Sequence, residues 1–109
     1  MITRAAVFEG PLKEGMETAM RAHVEAHLLP LWRQFARARE VRVLYGVERD
    51  PGGPEIPLVL AITYDDADAM AEGLASPARH RSRAMLPEFH ARFFEEVRLL
   101  HYVMEVHTE

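Results

Sequence analysis

The chain has 109 residues, of which 49% are apolar and 28% charged, with a net charge of −4. That length suits one domain with one modest core. The absence of cysteine excludes disulfides, iron–sulfur clusters and thiolate zinc sites, and no Lys/Arg cluster offers an electrostatic footprint for nucleic acid.

In chain order, Ile2–Glu9 reads as a first strand, closed by Gly10-Pro11, where proline removes a ladder donor. A helix is predicted from about Lys13 to Ala38. Met16, Met20, Val24, His27, Leu31 and Phe35 recur along it at three- and four-residue steps and form one stripe. Pro30 inside the stripe removes a helical hydrogen bond and should kink or split the helix. Val41–Glu48 reads as strand two. The dense turn signal Asp50-Pro51-Gly52-Gly53-Pro54 joins it to strand three, Leu58–Tyr64. Asp65 and Asp66 offer N-caps to a second helix, Ala67–Leu74. Ser76-Pro77 restarts it, and Leu86-Pro87 should interrupt it again before Glu88–Glu95. Val97–His107 closes the chain as strand four.

The order β-α-β-β-α-β predicts a ferredoxin-like α+β fold, a four-stranded antiparallel sheet with both helices on one face. Right-handed crossovers are expected to place strands one and four in the centre. Strands two, three and four carry large apolar residues at odd and even positions: Val43 and Leu44, Val59 and Leu60, Leu99 and Leu100. Such strands expect cover on both faces, and the helices cover only one. A second copy of the chain is the expected cover, giving a homodimer through the sheet face. A monomer whose sheet curls over a ligand is the other solution. No apolar run approaches the roughly 20 residues of a membrane span, and Met1–Gly10 is too short and polar for a signal peptide. The expected location is cytoplasmic, with no nucleic-acid or membrane partner.

Three stretches resemble the dimeric α/β-barrel superfamily, and within it the EthD-like and antibiotic-biosynthesis-monooxygenase-like groups. They are Glu25-Ala26-His27-Leu28-Leu29-Pro30-Leu31, Leu74-Ala75-Ser76-Pro77-Ala78-Arg79-His80, and the closing strand Leu99-Leu100-His101-Tyr102-Val103-Met104-Glu105-Val106. The resemblance implies two ferredoxin-like sheets packed face to face as a dimeric barrel. It also implies a small-molecule pocket between helix one and the sheet of each subunit, for a compact apolar or aromatic metabolite. The activity implied is cofactor-free monooxygenation or isomerisation. A non-catalytic ligand-binding or accessory module, and a structural dimer without turnover, are the alternatives. The superfamily's haem degraders carry an Asn on the first strand and a Trp in the second helix. This chain has no Asn at all and Gly73 at the Trp position, and His80 arrives about one turn before the haem-ligand position. No haem and no other cofactor is expected.

His27, inside the apolar stripe, is expected to face the sheet as a neutral base; a core histidine with one partner is the competing role. His23 is four residues earlier, and such a pair can bind metal, but no third ligand is near in sequence and no metal is expected. His80 stands among Arg79, Arg81 and Arg83. It is expected either on a solvated basic face or at a pocket rim that attracts a carboxylate or phenolate. Trp32, Tyr45 and Tyr64 would shape a ligand site or simply fill the core. His101 joins them as a ligand-binding candidate, on whichever face of the last strand the register selects. No phosphate-binding loop, nucleophile elbow or cysteine nucleophile is present, so chemistry would rest on proton transfer and positioning.

Overall fold

A computed structural model describes residues 1–107. The strands are β1 (Ile2–Glu9), β2 (Glu40–Tyr45), β3 (Leu58–Tyr64) and β4 (Arg98–Glu105). Helices α1 (Glu17–His23) and α2 (Leu29–Trp32) flank a π-turn (Val24–Leu28) between β1 and β2, and α3 (Ala67–Leu74) and α4 (Pro77–Phe93) connect β3 to β4. The fold is ferredoxin-like, as the element order predicts.

The sheet order is β2-β3-β1-β4. This corrects the expectation that strands one and four are central: β1 and β3 are, and β4 is an edge. The crossover from β1 leaves a slot that β3 fills when the β2–β3 hairpin returns. Composition agrees, since β3 has no charged residue whereas β4 carries Arg98, His101 and Glu105. An edge strand tolerates such residues because one flank meets water.

Between β1 and β2 the buried residues are Met20, Val24, Leu28, Trp32 and Phe35. Of the expected stripe, Met20, Val24 and Phe35 are buried, whereas His27 is exposed and Leu31 only partly buried, Leu28 and Trp32 taking their places. Three successive four-residue steps would each drift by about 40° around a straight α-helix. The π-turn, closed by the Leu29 N–H donating to the Val24 carbonyl, takes up part of this drift. Pro30 lies just beyond the wide turn, in the first turn of α2, where its missing donor costs least. The proline thus splits the helix as predicted, and the split rephases its buried face.

The second pair of helices is closer to expectation. Asp66 caps α3 by accepting from the Ala69 N–H at 2.8 Å. Gly73 sits where a Cβ would meet Tyr64 Cε1 at 2.6 Å and the Ala36 carbonyl at 2.8 Å, so α3 approaches the sheet at glycine contact distance. Ser76 precedes α4, with Pro77 opening the helix, but its hydroxyl donates back to the Gly73 carbonyl instead of capping. Contrary to expectation, α4 runs unbroken through Pro87. Pro87 and Arg83 are both exposed, so water can serve the carbonyl that the proline leaves without a donor.

Strand pairing sorts the side chains onto two faces. Ala6 pairs with His101 and Leu60, and Phe8 with Leu99 and Leu58, all toward the helices. Val7 pairs with Leu100 and Val59, and Ala5 with Tyr102, toward the open side. Open-face Leu44, Tyr102 and Met104 are 41%, 48% and 62% exposed. The charged pairs Glu9–Arg98 and Glu40–Arg42 stand at the ends of that face. Its apolar centre is thus bounded by a charged margin. No helix among the described residues is long and apolar enough to cross a membrane.

Candidate functional site

A small cavity of about 40 Å³ lies between the helix face of the sheet and α4. Its floor is apolar: Ala6 and Phe8 from β1, Leu60 from β3, Trp32 from α2, and Phe35 just beyond α2. Its polar lining is basic: Arg4 from β1, Arg79 and Arg83 from α4, with His101 from β4 and Ser82 beside them. Arg79 and Arg83 share a flank of α4 because they are four residues apart. Arg4 joins them because even-numbered β1 residues face the helices.

The electrostatics are one-sided. Five ion pairs occur among the described residues, and none includes Arg4, Arg79 or Arg83. Burial, then the neighbouring Arg79, holds the Arg4 guanidinium below its usual value. Burial, then Arg83, does the same to Arg79. His101 pairs with Ala6 beneath this group. Burial, then Arg4, Arg83 and Arg79, pushes its imidazole down from 6.5 to about 4. It is neutral at pH 7 and can donate or accept a hydrogen bond. Ser82 donates its hydroxyl proton to the Arg79 carbonyl at 2.9 Å. Tyr64 is fully buried, its hydroxyl has no partner, and burial pushes its pKa up while Arg4 and Arg79 oppose that.

The structure brings Trp32 and His101 together in this cavity and leaves the other sequence candidates outside its lining. His27 is exposed, which corrects its expected sheet-facing position; the rephased helix gives that place to Leu28. Its ring lies 4.8 Å from that of His23. His23 in turn stacks on Phe89 at 5.7 Å and contacts Phe93 at 5.2 Å, on the other half of α4. Burial, then His27, lowers the His23 pKa. Among the described residues no group of three His, Cys, Asp or Glu could hold a metal ion. His80 is exposed in the first turn of α4, between the chain positions of the lining arginines. Tyr45 lies at the edge of the sheet, donating to Glu25 Oε2 at 3.1 Å beneath the Arg21 guanidinium. Burial, then the hydrogen bond to Glu25, pushes its phenol up to about 12, so it stays protonated.

The residue that sequence reasoning missed is Arg4. Its signal was present: a charged side chain between Ile2 and Ala6 at an inward position of a strand that is otherwise apolar on that face. A second, wetter hollow of about 220 Å³ lies at the β2–β3 hairpin, bordered by Glu17, Glu48 and Glu55. Arg49 also lines it and pairs with Glu55 at 3.1 Å, so its charges are mixed, unlike those of the arginine cavity.

No family model and no curated protein matches the chain. Solved structures do. An ethyl tert-butyl ether degradation (EthD) family protein from Bacillus halodurans aligns with a TM-score of 0.67 at 19% identity, covering 94% of this chain and 96% of that one. SnoaB, a cofactor-independent oxygenase from Streptomyces nogalater, aligns at 0.64 with 15% identity, over 99% and 94%. A dimeric ferredoxin-like protein of unknown function from Thermobifida fusca aligns at 0.59 with 11% identity, over 94% and 92%. At these identities the likeness is one of fold, and the fold is the ferredoxin-like one shared by EthD-like and oxygenase proteins that the sequence motifs resemble.

Proposed function

We propose that this chain is a homodimeric small-molecule-binding protein that takes a compact aromatic metabolite into the cavity between Trp32, Arg4 and His101. The observation that carries this reading is the cavity's composition. An aromatic and aliphatic floor meets three arginines that no ion pair among the described residues includes. Pairing through the open sheet face rests on the exposed apolar centre of Leu44, Tyr102 and Met104, with half-buried Leu100 among them, and its charged margin. The dimeric neighbour of the same fold supports it.

Turnover in this reading needs no resident cofactor, in keeping with the cofactor-independent oxygenase of the same fold. Neutral His101 handles the proton, the arginines hold developing negative charge, and the apolar floor orients the ring. His101 thereby takes the role that the sequence suggested for His27 and His80, because it alone of the three lines the cavity.

Native mass spectrometry with tryptophan fluorescence tests both halves. Trp32 is the sole tryptophan and it lines the cavity, so its emission reports occupancy directly. The expected result is a dimer whose emission is quenched saturably by small nitroaromatic probes. A monomer would remove the pairing. A dimer whose Trp32 emission no probe alters would remove the cavity as a ligand site.

A further inference from the structure

We infer that the cavity selects an aromatic ligand in its oxyanion form, a phenolate or a carboxylate on the ring, gripped by Arg4, Arg79 and Arg83. This rests on the cavity being the ligand site and names the ligand's charge. The geometry is specific. Three guanidinium groups from two elements converge on one small space, while five other arginines of the chain are paired with carboxylates elsewhere. Like charges brought together repel, and the partly buried Arg4 and Arg79 also lose hydration. An anion on the ligand relieves both costs at once, and the planar guanidinium fork matches an oxyanion in two-point contact.

The surroundings add no competing negative charge. From β3 the nearest titratable group is the protonated Tyr64 phenol, from β4 it is neutral His101, and from α4 the neighbour is the Ser82 hydroxyl. The local positive charge contrasts with the net −4 of the chain. A cavity of about 40 Å³ suits only a compact ligand, its ring on Trp32 and Phe35 and its oxyanion turned to the arginines. The exposed Arg83 and His101 mark its mouth, beside edge strand β4.

The probe is 4-nitrophenol, yellow only as the anion, set against its uncharged methyl ether, 4-nitroanisole. Both are titrated into the full-length protein about one pH unit below the phenol's own midpoint, following Trp32 emission and visible absorbance. The expected result is yellow colour developing with Trp32 quenching, and affinity for the phenol about tenfold or more above that for the ether. Arg83→Met, at an exposed position that the fold does not depend on, and Arg79→Met should each lower phenolate affinity about tenfold and leave the ether within about twofold. Arg81→Met, outside the cavity lining, should change neither. Equal quenching by both probes without colour would overturn the oxyanion inference and leave the ligand site standing. Absence of quenching by either probe would overturn both.

Discussion

Lowering the pH should selectively weaken the protein through His101. Its imidazole is held near 4 in the folded chain and returns to about 6.5 on unfolding. Between those values the unfolded chain binds the extra proton, so stability falls as pH drops from 6.5 to 4 and is flat on either side. The full displacement corresponds to about 3 kcal/mol at 1.36 kcal/mol per pH unit. His101 is more than a third exposed, and water and salt screen the arginine field there, which reduces the expected loss to about 1 kcal/mol. His101→Gln keeps a neutral polar group but cannot charge. Urea unfolding followed by circular dichroism at pH 7 and pH 4, at fixed protein concentration, should show the wild type losing about 1 kcal/mol more than the variant. His23 and His90 are also depressed by burial and also destabilise the fold on acidification, but they do so in both proteins and cancel in the difference. Proton NMR should place the His101 midpoint near 4. A midpoint above 6, or parallel losses in the two proteins, would refute the argument that burial, with the arginines beside it, depresses this imidazole.

Three further outcomes follow from the packing. Gly73→Ala gains about 1 kcal/mol of helix propensity but drives a methyl into Tyr64 and the Ala36 carbonyl, so a net loss of about 1–2 kcal/mol is expected by thermal melting; an unchanged or raised melting temperature would show that α3 can move away. Asp66→Ala, which removes the acceptor for the Ala69 N–H, should cost about 1 kcal/mol in urea and leave Trp32 quenching unchanged. Met104→Glu, on the open face beside Thr3, should give a folded monomer by sedimentation velocity at concentrations where the parent protein is a dimer; a persistent dimer would place the interface elsewhere.

The strands were legible because short apolar, β-branched runs and the Asp-Pro-Gly-Gly-Pro turn signal that bounds two of them are local. Leu58–Tyr64 and Ala67–Leu74 fall where the sequence puts them. The middle of the first helix's stripe, at His27 and Leu31, was not legible, because a π-turn changes the phase and no residue type announces it. His27 looked internal for that reason alone. Strand order required weighing the charge of β4 against the purely uncharged β3, a comparison between elements that lies outside any local pattern. In the candidate site, Trp32, His101 and the Arg79–Arg83 pair were visible as residue types in suggestive positions. Their convergence with Arg4 depends on which faces of β1 and β4 meet the helices, a register that a one-residue slip would reverse.

The wide turn at Val24–Leu28 also bears on how this chain can change length. A π-turn is geometrically a helix with one residue too many. Deleting Ala26 would convert the bulge to a regular turn and leave Met20, Val24 and the shifted Leu28 and Trp32 at the ordinary four- and three-residue intervals of an α-helix. The apolar residues would still meet the sheet, and neither β1 nor β2 would have to move. The first helical connection is thus a place where a single codon can be lost at little structural expense, with His27 rather than the core bearing the change.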